Sequence, residues 1–394
     1  MKGYRLTVGA ETCDIRGFTN THIQCAVDRA ALLGGGEVEL SEGTFALADA
    51  VHLRTNVTVR GQGEATVLRK NAMKQARIAA IMGYGHCDLV LDDPDAFEPG
   101  EGILVGDDNS FGFYQTAGTL VRREGDTWYT SNPHAHDYTP AAHGFVKTLF
   151  SCVSIVGVQD AVLAGVRVDG NPEENESMNG CRGSGVYIGR AHRVRVQGVI
   201  VRNYNGEGIG FQTCDDLELD GCLVERCTGN GLHPGSGSNR FHVHDTTSRN
   251  NGGCGLFYCL RVRHSLLENC VFENNKGHGL STGGRDTDNL NRNLVIRGNG
   301  GAGIYLRDDG QANAAHRNVF ENCTLEGNCR ENGEAEIVLQ GGTEGIALRR
   351  NTIRWKEGKP GILVKPDMPD FESTGNTLEP AGPDAIVDER GGLG

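Results

Sequence analysis

A repeat constrains this chain more than any other feature. The motif Gly-Φ-x-x (Φ, aliphatic) returns at Gly185, Gly208, Gly231, Gly255, Gly279 and Gly303, in steps of 23 or 24 residues. A period of this order signals a solenoid, a propeller or an array of modules. The content of each period decides among them. Each holds two or three strand-sized apolar runs split by Asn/Gly turns, and none holds an apolar pattern of helical length. That excludes helical repeats and leucine-rich horseshoes, and the period is too short for a propeller blade. A three-strand rung remains. The expected fold is all-β, a right-handed parallel β-helix forming one domain over residues 1–394, with its most regular rungs at 183–310.

A second ladder runs beside the first. Asn203, Arg226, Asn250, Asn274 and Gly298 precede the Gly motifs at the same spacing, and Asn251, Asn275 and Asn299 follow one residue on. Stacked rungs set such residues over one another, where asparagine tolerates left-handed turns and bonds to its own copies. Near the start, Thr19 to Gly36 reads as a capped helix closed by glycine, suited to covering the open end of a coil. Strands are expected at 37–40, 50–53, 57–60 and 66–69. Residues 98–148 break the period and are expected to be an insertion over the coil, with a hairpin at Thr119–Arg123 and Thr127–Tyr129. Further rungs are expected at Ile337-Val-Leu and Gly361-Ile-Leu-Val, and an irregular stretch over the last twenty residues.

Charge narrows the partners. A net charge of −13 argues against a nucleic-acid backbone, while a local basic cleft could still take an anionic polysaccharide. No apolar stretch has the length of a membrane span, and the first residues lack a signal-peptide pattern. Thirteen cysteines without a Cys-x-x-Cys pair point to reduced, mostly buried thiols, hence a cytoplasmic protein as written, or a secreted or periplasmic one if a leader was removed.

The run GFTNTHIQCAVDRAALLGGGEVELSEGTFAL at 17–47 resembles the capping helix and first rung of the pectate-lyase-like superfamily. The runs NGLHPGSGS at 230–238, CGLFYC at 254–259, HGLSTG at 278–283 and GNGGAGIYLR at 298–307 are similar to rungs of mannuronan C5-epimerase modules and related β-helix proteins. The resemblance implies the fold and a sugar polymer as partner. Where those epimerases carry Tyr-Gly-Phe-Asp-Pro-His, this chain has Asn230-Gly-Leu-His233-Pro-Gly235; the Gly277-His278-Gly279 run is similar to polygalacturonases, whose paired aspartates would fall near Gly229-Asn230. The family catalytic motifs are therefore not matched.

Alternation of side chains along a strand sorts the face. Val186, Ile209, Leu232, Leu256, Leu280 and Ile304 point into the coil; Tyr187, Gly210, His233, Phe257, Ser281 and Tyr305 point out, as do Gln212, Cys259 and Arg307 two residues further on. Aromatic rings offer flat surfaces to sugars, and His, Gln and Arg offer directional bonds. The expected substrate-binding residues are Tyr187, Gln212, Phe257 and Tyr305, with Arg261 and Arg285 from the turns. The candidate catalytic residues are His233, Arg307, Asp286, Asp309 and Asp288, with Glu207 and His278 in reserve at the other edge.

Three chemistries fit these residues. β-Elimination on a uronate-containing glycan needs a base and a cation, which His233 with Arg307 or Arg261 would supply. Glycoside hydrolysis needs two carboxylates, such as Asp286 with Asp309 or Asp308 on the adjacent rung, or with Asp288. C5 epimerisation shares the proton abstraction. Elimination is the first expectation, and a non-catalytic glycan-binding coil is the remaining one. No cofactor is expected; the oxygens of Asp286-Thr287-Asp288-Asn289 could gather Ca²⁺, although no EF-hand spacing is present.

Overall fold

The structure is a computed structural model that describes residues 4–391. Among these residues the chain coils into three parallel sheets of 13, 11 and 11 strands. The flank sheet begins with Ile15–Arg16, Tyr4–Gly9, Gly36–Leu40 and Val57–Arg60 and ends at Glu372–Thr374. The back sheet runs from Gly43–Leu47 to Thr377–Glu379, and the face sheet from Val51–His52 to Ile386–Asp388. Successive strands of one sheet belong to successive turns of a right-handed coil, the hand favoured for parallel crossovers.

Every rung sits in register on the next. Leu232 pairs with Leu256, Leu256 with Leu280 and Leu280 with Ile304, and all four side chains are fully buried in one internal column. One continuous apolar core fills the coil from Val8 to Met368. Its N-terminal end is closed by the helix Asn20–Leu32, which lays Ile23, Ala26, Val27 and Ala30 on the first rungs. Thr19 is extended at the helix start, but its hydroxyl bonds Nδ1 of His22 at 2.7 Å instead of a backbone N–H. The helix stops at Gly34 and Gly35; Gly35 has φ +127°, and a Cβ there would lie 2.5 Å from the Asn56 carbonyl oxygen.

The corners hold the ladders. Asn203, Arg226, Asn250, Asn274 and Gly298 all adopt left-handed backbone (φ 55–63°). One residue on, Asn251, Asn275 and Asn299 are buried; Asn251 accepts from the Cys227 backbone amide, and Asn275 and Asn299 each accept from the backbone and side-chain amides of the asparagine one rung before, all at 3.0 Å. The stack ends on Asn328, which bonds the Glu336 carboxylate. Outside the coil, one column of the back sheet reads Arg69, Asp169, Arg202, Glu225, Arg249, Glu273, Arg297, Glu326, Arg354, Glu379, each directly over its neighbour. Charge alternates at every step.

Two expectations are corrected. The interruption of the coil carries a six-stranded antiparallel sheet that starts at Gln75–Arg77, before the expected boundary at 98, and closes with Phe145–Lys147. It has its own core around Ile103, Leu120, Trp128 and Tyr138. The expected hairpin is present as Thr116–Glu124 against Thr127–Thr130. At the other end the last twenty residues are not wholly irregular, because Ile386–Asp388 pairs with Ile362–Val364 as another face strand.

Glu225 tests the ladder. Its nearly inaccessible carboxylate accepts from Arg202 (2.7 Å) and Arg249 (2.8 Å), with Arg226 at 3.3 Å. Burial opposes its charge, but these guanidiniums outweigh burial and hold its pKa below the ordinary 4.5. A depressed carboxylate stabilises the fold above its unfolded value and stops doing so as pH falls through its folded value. Glu225→Gln should therefore cost about 1–3 kcal/mol in urea titrations at neutral pH. The gap between wild type and variant should hold down to about pH 4.5 and close below it; a gap that widens on acidification would refute the ladder's role.

Candidate functional site

The outward column of the face sheet is longer than the repeat alone suggested. Strand pairing sets His52 beside Ser154, Ser154 beside Tyr187, Tyr187 beside Gly210, and Gly210 beside His233. Beyond His233 come Phe257, Ser281 and Tyr305. The antiparallel insertion stands along the first rungs of this column and walls a cleft of about 430 Å³. Asp49, His52 and Arg54 form one side of it, Thr119 and Asn132 of the insertion the other, with Ser154, Arg182, Tyr187 and Arg190 from the following rungs.

Within the cleft His52 is oriented. Its Nε2 lies 3.3 Å from Oδ2 of Asp49, which also accepts from the Thr119 hydroxyl at 2.6 Å, while Oδ1 accepts from the Ala50 amide. With a proton on Nε2, Nδ1 is the basic nitrogen. Tyr187 donates to the Cys181 carbonyl at 3.2 Å, and burial pushes its phenol up to about 12. Arg182 is tied to the insertion through the Gly112 and Phe113 carbonyls, and burial lowers its pKa. Asp49 is the one carboxylate lining this cleft among the described residues.

Further along, the column is covered. The turn at Gly180 closes over His233 and Glu207: a Cβ on Gly180 would lie 2.7 Å from His233 Nδ1 and 2.6 Å from Glu207 Cγ. His233 is 6% exposed and Gln212 4%, and neither the two ring nitrogens nor the two amide atoms have a hydrogen-bond partner. His233 Nδ1 is 3.6 Å from Glu207 Oε1, and Glu207 is held by the amide and side chain of Asn230. Burial opposes a charge on His233, but Cys259 and Glu207 beside the ring outweigh it and bring its pKa up to about 9.

Several residues expected at the turns are already engaged within the protein. Asp286 is fully buried: its carboxylate accepts from the Val262 and Gly283 amides and from Arg307, and burial raises its pKa to about 6. It is a turn cap closed to solvent, so the Asp286–Asp309 pair expected for hydrolysis is not presented to a substrate. Asp309 and Asp286 instead flank one guanidinium, at 3.5 and 3.3 Å. That Arg307 side chain lies over the Phe257 ring and donates to the Tyr258 and Cys259 carbonyls. Asp288 makes a double contact with Arg317, and Asn289 is absorbed in a second asparagine stack. His278 stacks flat on Tyr305 at 4.1 Å, accepts from the Ala302 amide and is held down to about pKa 4 by burial. Arg261 is exposed and Arg285 half-buried at the turns after the face strands.

The alternation Val51-His52-Leu53-Arg54 already turns His52 and Arg54 outward. Their place beside Tyr187 was hidden because the neighbouring strand begins only at Val153, beyond the insertion.

The chain belongs to the family described as right handed beta helix region, whose model matches residues 151–353. No curated protein matches its sequence. Among solved structures it is similar to the A-modules of the Azotobacter vinelandii mannuronan C-5 epimerases AlgE4 (TM-score 0.56, 14% identity, covering 94% of this chain and 95% of that one) and AlgE6 (0.57, 17%, 94% and 94%). It is also similar to a polygalacturonase from Erwinia carotovora ssp. carotovora (0.55, 12%, 98% and 95%). At these identities the likeness establishes the fold, as expected for a pectate-lyase-like coil.

A histidine whose folded pKa is raised stabilises fully below its unfolded value, 6.5, and ceases to as pH rises through about 9. Nuclear magnetic resonance should find His233 titrating near pH 9, with a lower midpoint in Glu207→Gln. A wild-type midpoint at or below 6.5 would show that Glu207 and Cys259 do not act on the ring.

Proposed function

We propose that this protein acts on a uronate-containing poly- or oligosaccharide bound along the face sheet, and that it cleaves by β-elimination in the cleft beside the insertion. One observation carries the reading. The cleft joins an imidazole oriented by a carboxylate to three arginines, Arg54, Arg182 and Arg190, in a chain of net charge −13. Elimination needs a base for the proton beside the sugar carboxylate and cations to neutralise that carboxylate as negative charge develops on it. His52, held by Asp49, is the base. Arg190 and Arg182 answer the carboxylate, and the Tyr187 hydroxyl, kept protonated by burial, turns from the Cys181 carbonyl to donate to the departing oxygen. Hydrolysis by paired carboxylates is less well supported, since Asp49 stands without a second acid. The named activities of the similar epimerases and polygalacturonase, all on polyuronates, agree with this substrate class.

A second reading sets the chemistry at His233 with Glu207 and Gln212, favoured by their unpartnered buried atoms, and requires the segment around Gly180 to lift. C5 epimerisation would use the same base with the proton returned to the opposite face.

The test is a panel of plant, algal and animal polyuronates followed by ultraviolet absorbance of unsaturated ends. His52→Ala should lower turnover about 10²–10⁴-fold with little change in melting temperature, and Arg190→Ala should act mainly on KM. New reducing ends without absorbance would establish hydrolysis, altered uronate configuration without cleavage would establish epimerisation, and binding without any product a non-catalytic coil. An active His52→Ala with an inactive His233→Ala would move the site to the covered rungs.

A further inference from the structure

The flank sheet carries a cluster of ligating side chains that the cleft does not use. Strand His242–His244 projects both imidazoles outward, with ring centres 4.3 Å apart. The preceding rung sets Glu218 and Asp220 beside them, and the following rung sets Glu268 beside His244. Asp245 has left-handed backbone (φ 50°), and its carboxylate meets the same ring. Nδ1 of His244 lies 2.9 Å from Asp245 Oδ2 and 3.4 Å from Asp220 Oδ1, while Nε2 lies 3.3 Å from Glu218 Oε1.

Charge counting isolates three of these groups. Glu218 is answered by Arg195 at 3.1 Å and Glu268 by Arg292 at 2.8 Å. Among the described residues, Asp220 and Asp245 have no basic partner except His244. One imidazole cannot neutralise both. A neutral His244 with its single proton on Nε2, toward Glu218, turns the Nδ1 lone pair to two carboxylates, a repulsion that a cation between them removes.

The spacing fits such a cation. Metal–nitrogen and metal–oxygen distances of about 2.0–2.2 Å put adjacent ligand atoms roughly 2.9–3.5 Å apart, and both Nδ1 separations fall in that range. The three donor atoms lie within 4.8 Å of one another. A carboxylate on the far nitrogen is the usual partner of a metal-bound histidine, and Glu218 stands there.

We propose that Asp220, His244 and Asp245 form a site for a divalent transition-metal ion of the zinc class, tying two successive rungs of the flank sheet. Two carboxylates and one neutral imidazole balance a dication, and the nitrogen donor favours zinc-class ions over calcium or magnesium. The competing arrangement is a protonated His244 serving as the cation of an alternating column, Asp220–His244–Glu268–Arg292. Such a column has no need of Asp245 on Nδ1.

Isothermal titration of the full chain with Zn²⁺ decides. Wild type should bind one equivalent that Asp220→Asn/Asp245→Asn binds at least tenfold more weakly, and Zn²⁺ should raise the melting temperature of wild type only. All thirteen cysteines remain in both proteins, so thiol binding cancels in the comparison. Should the double variant fold poorly, Asp245→Asn alone, at an exposed carboxylate, gives the same comparison. Equal Zn²⁺ binding by wild type and variant, or none by either, overturns the proposal.

Discussion

Everything in this molecule depends on one constraint, the unshifted parallel pairing of each rung with the next. Parallel strands about 4.8 Å apart bring equivalent side chains within contact of one another. A position that is apolar in one rung must then be apolar in its neighbours, and a charged position must meet the opposite charge. The internal Leu232–Leu256–Leu280–Ile304 column satisfies the first demand. The ten-residue column from Arg69 to Glu379 satisfies the second. Alternation does more than avoid repulsion. A strand slipped by one residue would turn its charged position to the core and its buried apolar position outward, so the ladder and the core column select the same register.

Such a constraint makes the fold legible in sequence, because repetition in space is repetition along the chain. The glycine period, the left-handed Asn203 and Asn250 turns and the buried Asn251–Asn275–Asn299 stack all follow from spacing alone. The interruption was less legible. The strand Gln75–Arg77 and the core residues Ile78 and Met82 precede any visible break in composition, because a short antiparallel strand and a short parallel one look alike in a few residues. Ile386–Asp388 was missed for a related reason: one weak, partly exposed strand among polar neighbours gives little periodic signal.

The candidate site divides in the same way. Alternation turned Tyr187, His233, Phe257 and Tyr305 to one face, and the pairing of their strands agrees. Depth was out of reach. Whether His233 meets solvent depends on Gly180, fifty-three positions earlier, and nothing in the repeat announces a segment folding back over it. Asp286 misled because a turn aspartate can cap amides beneath it as readily as face outward, and here Val262 and Gly283 claim it. His52 was hidden by the insertion, yet it stacks through Ser154 on Tyr187 as directly as any two rungs of the regular region.

The distribution of arginine ties the ladders to the chemistry. On the back sheet Arg202, Arg249, Arg297 and Arg354 each meet a glutamate, so their charge is spent within the coil surface. Along the face Arg182, Arg190, Arg261 and Arg285 have no carboxylate within 4.0 Å among the described residues. Arg190, Arg261 and Arg285 all occupy left-handed positions in the turns that follow the face strands, so they recur along one edge. Unpaired cations in a chain of net charge −13 focus a positive potential where nothing else cancels it. A neutral glycan would gain little from that edge. A polyanionic chain lying along the coil axis would meet a guanidinium at several rungs, with the oriented His52 at the end where the insertion narrows the path.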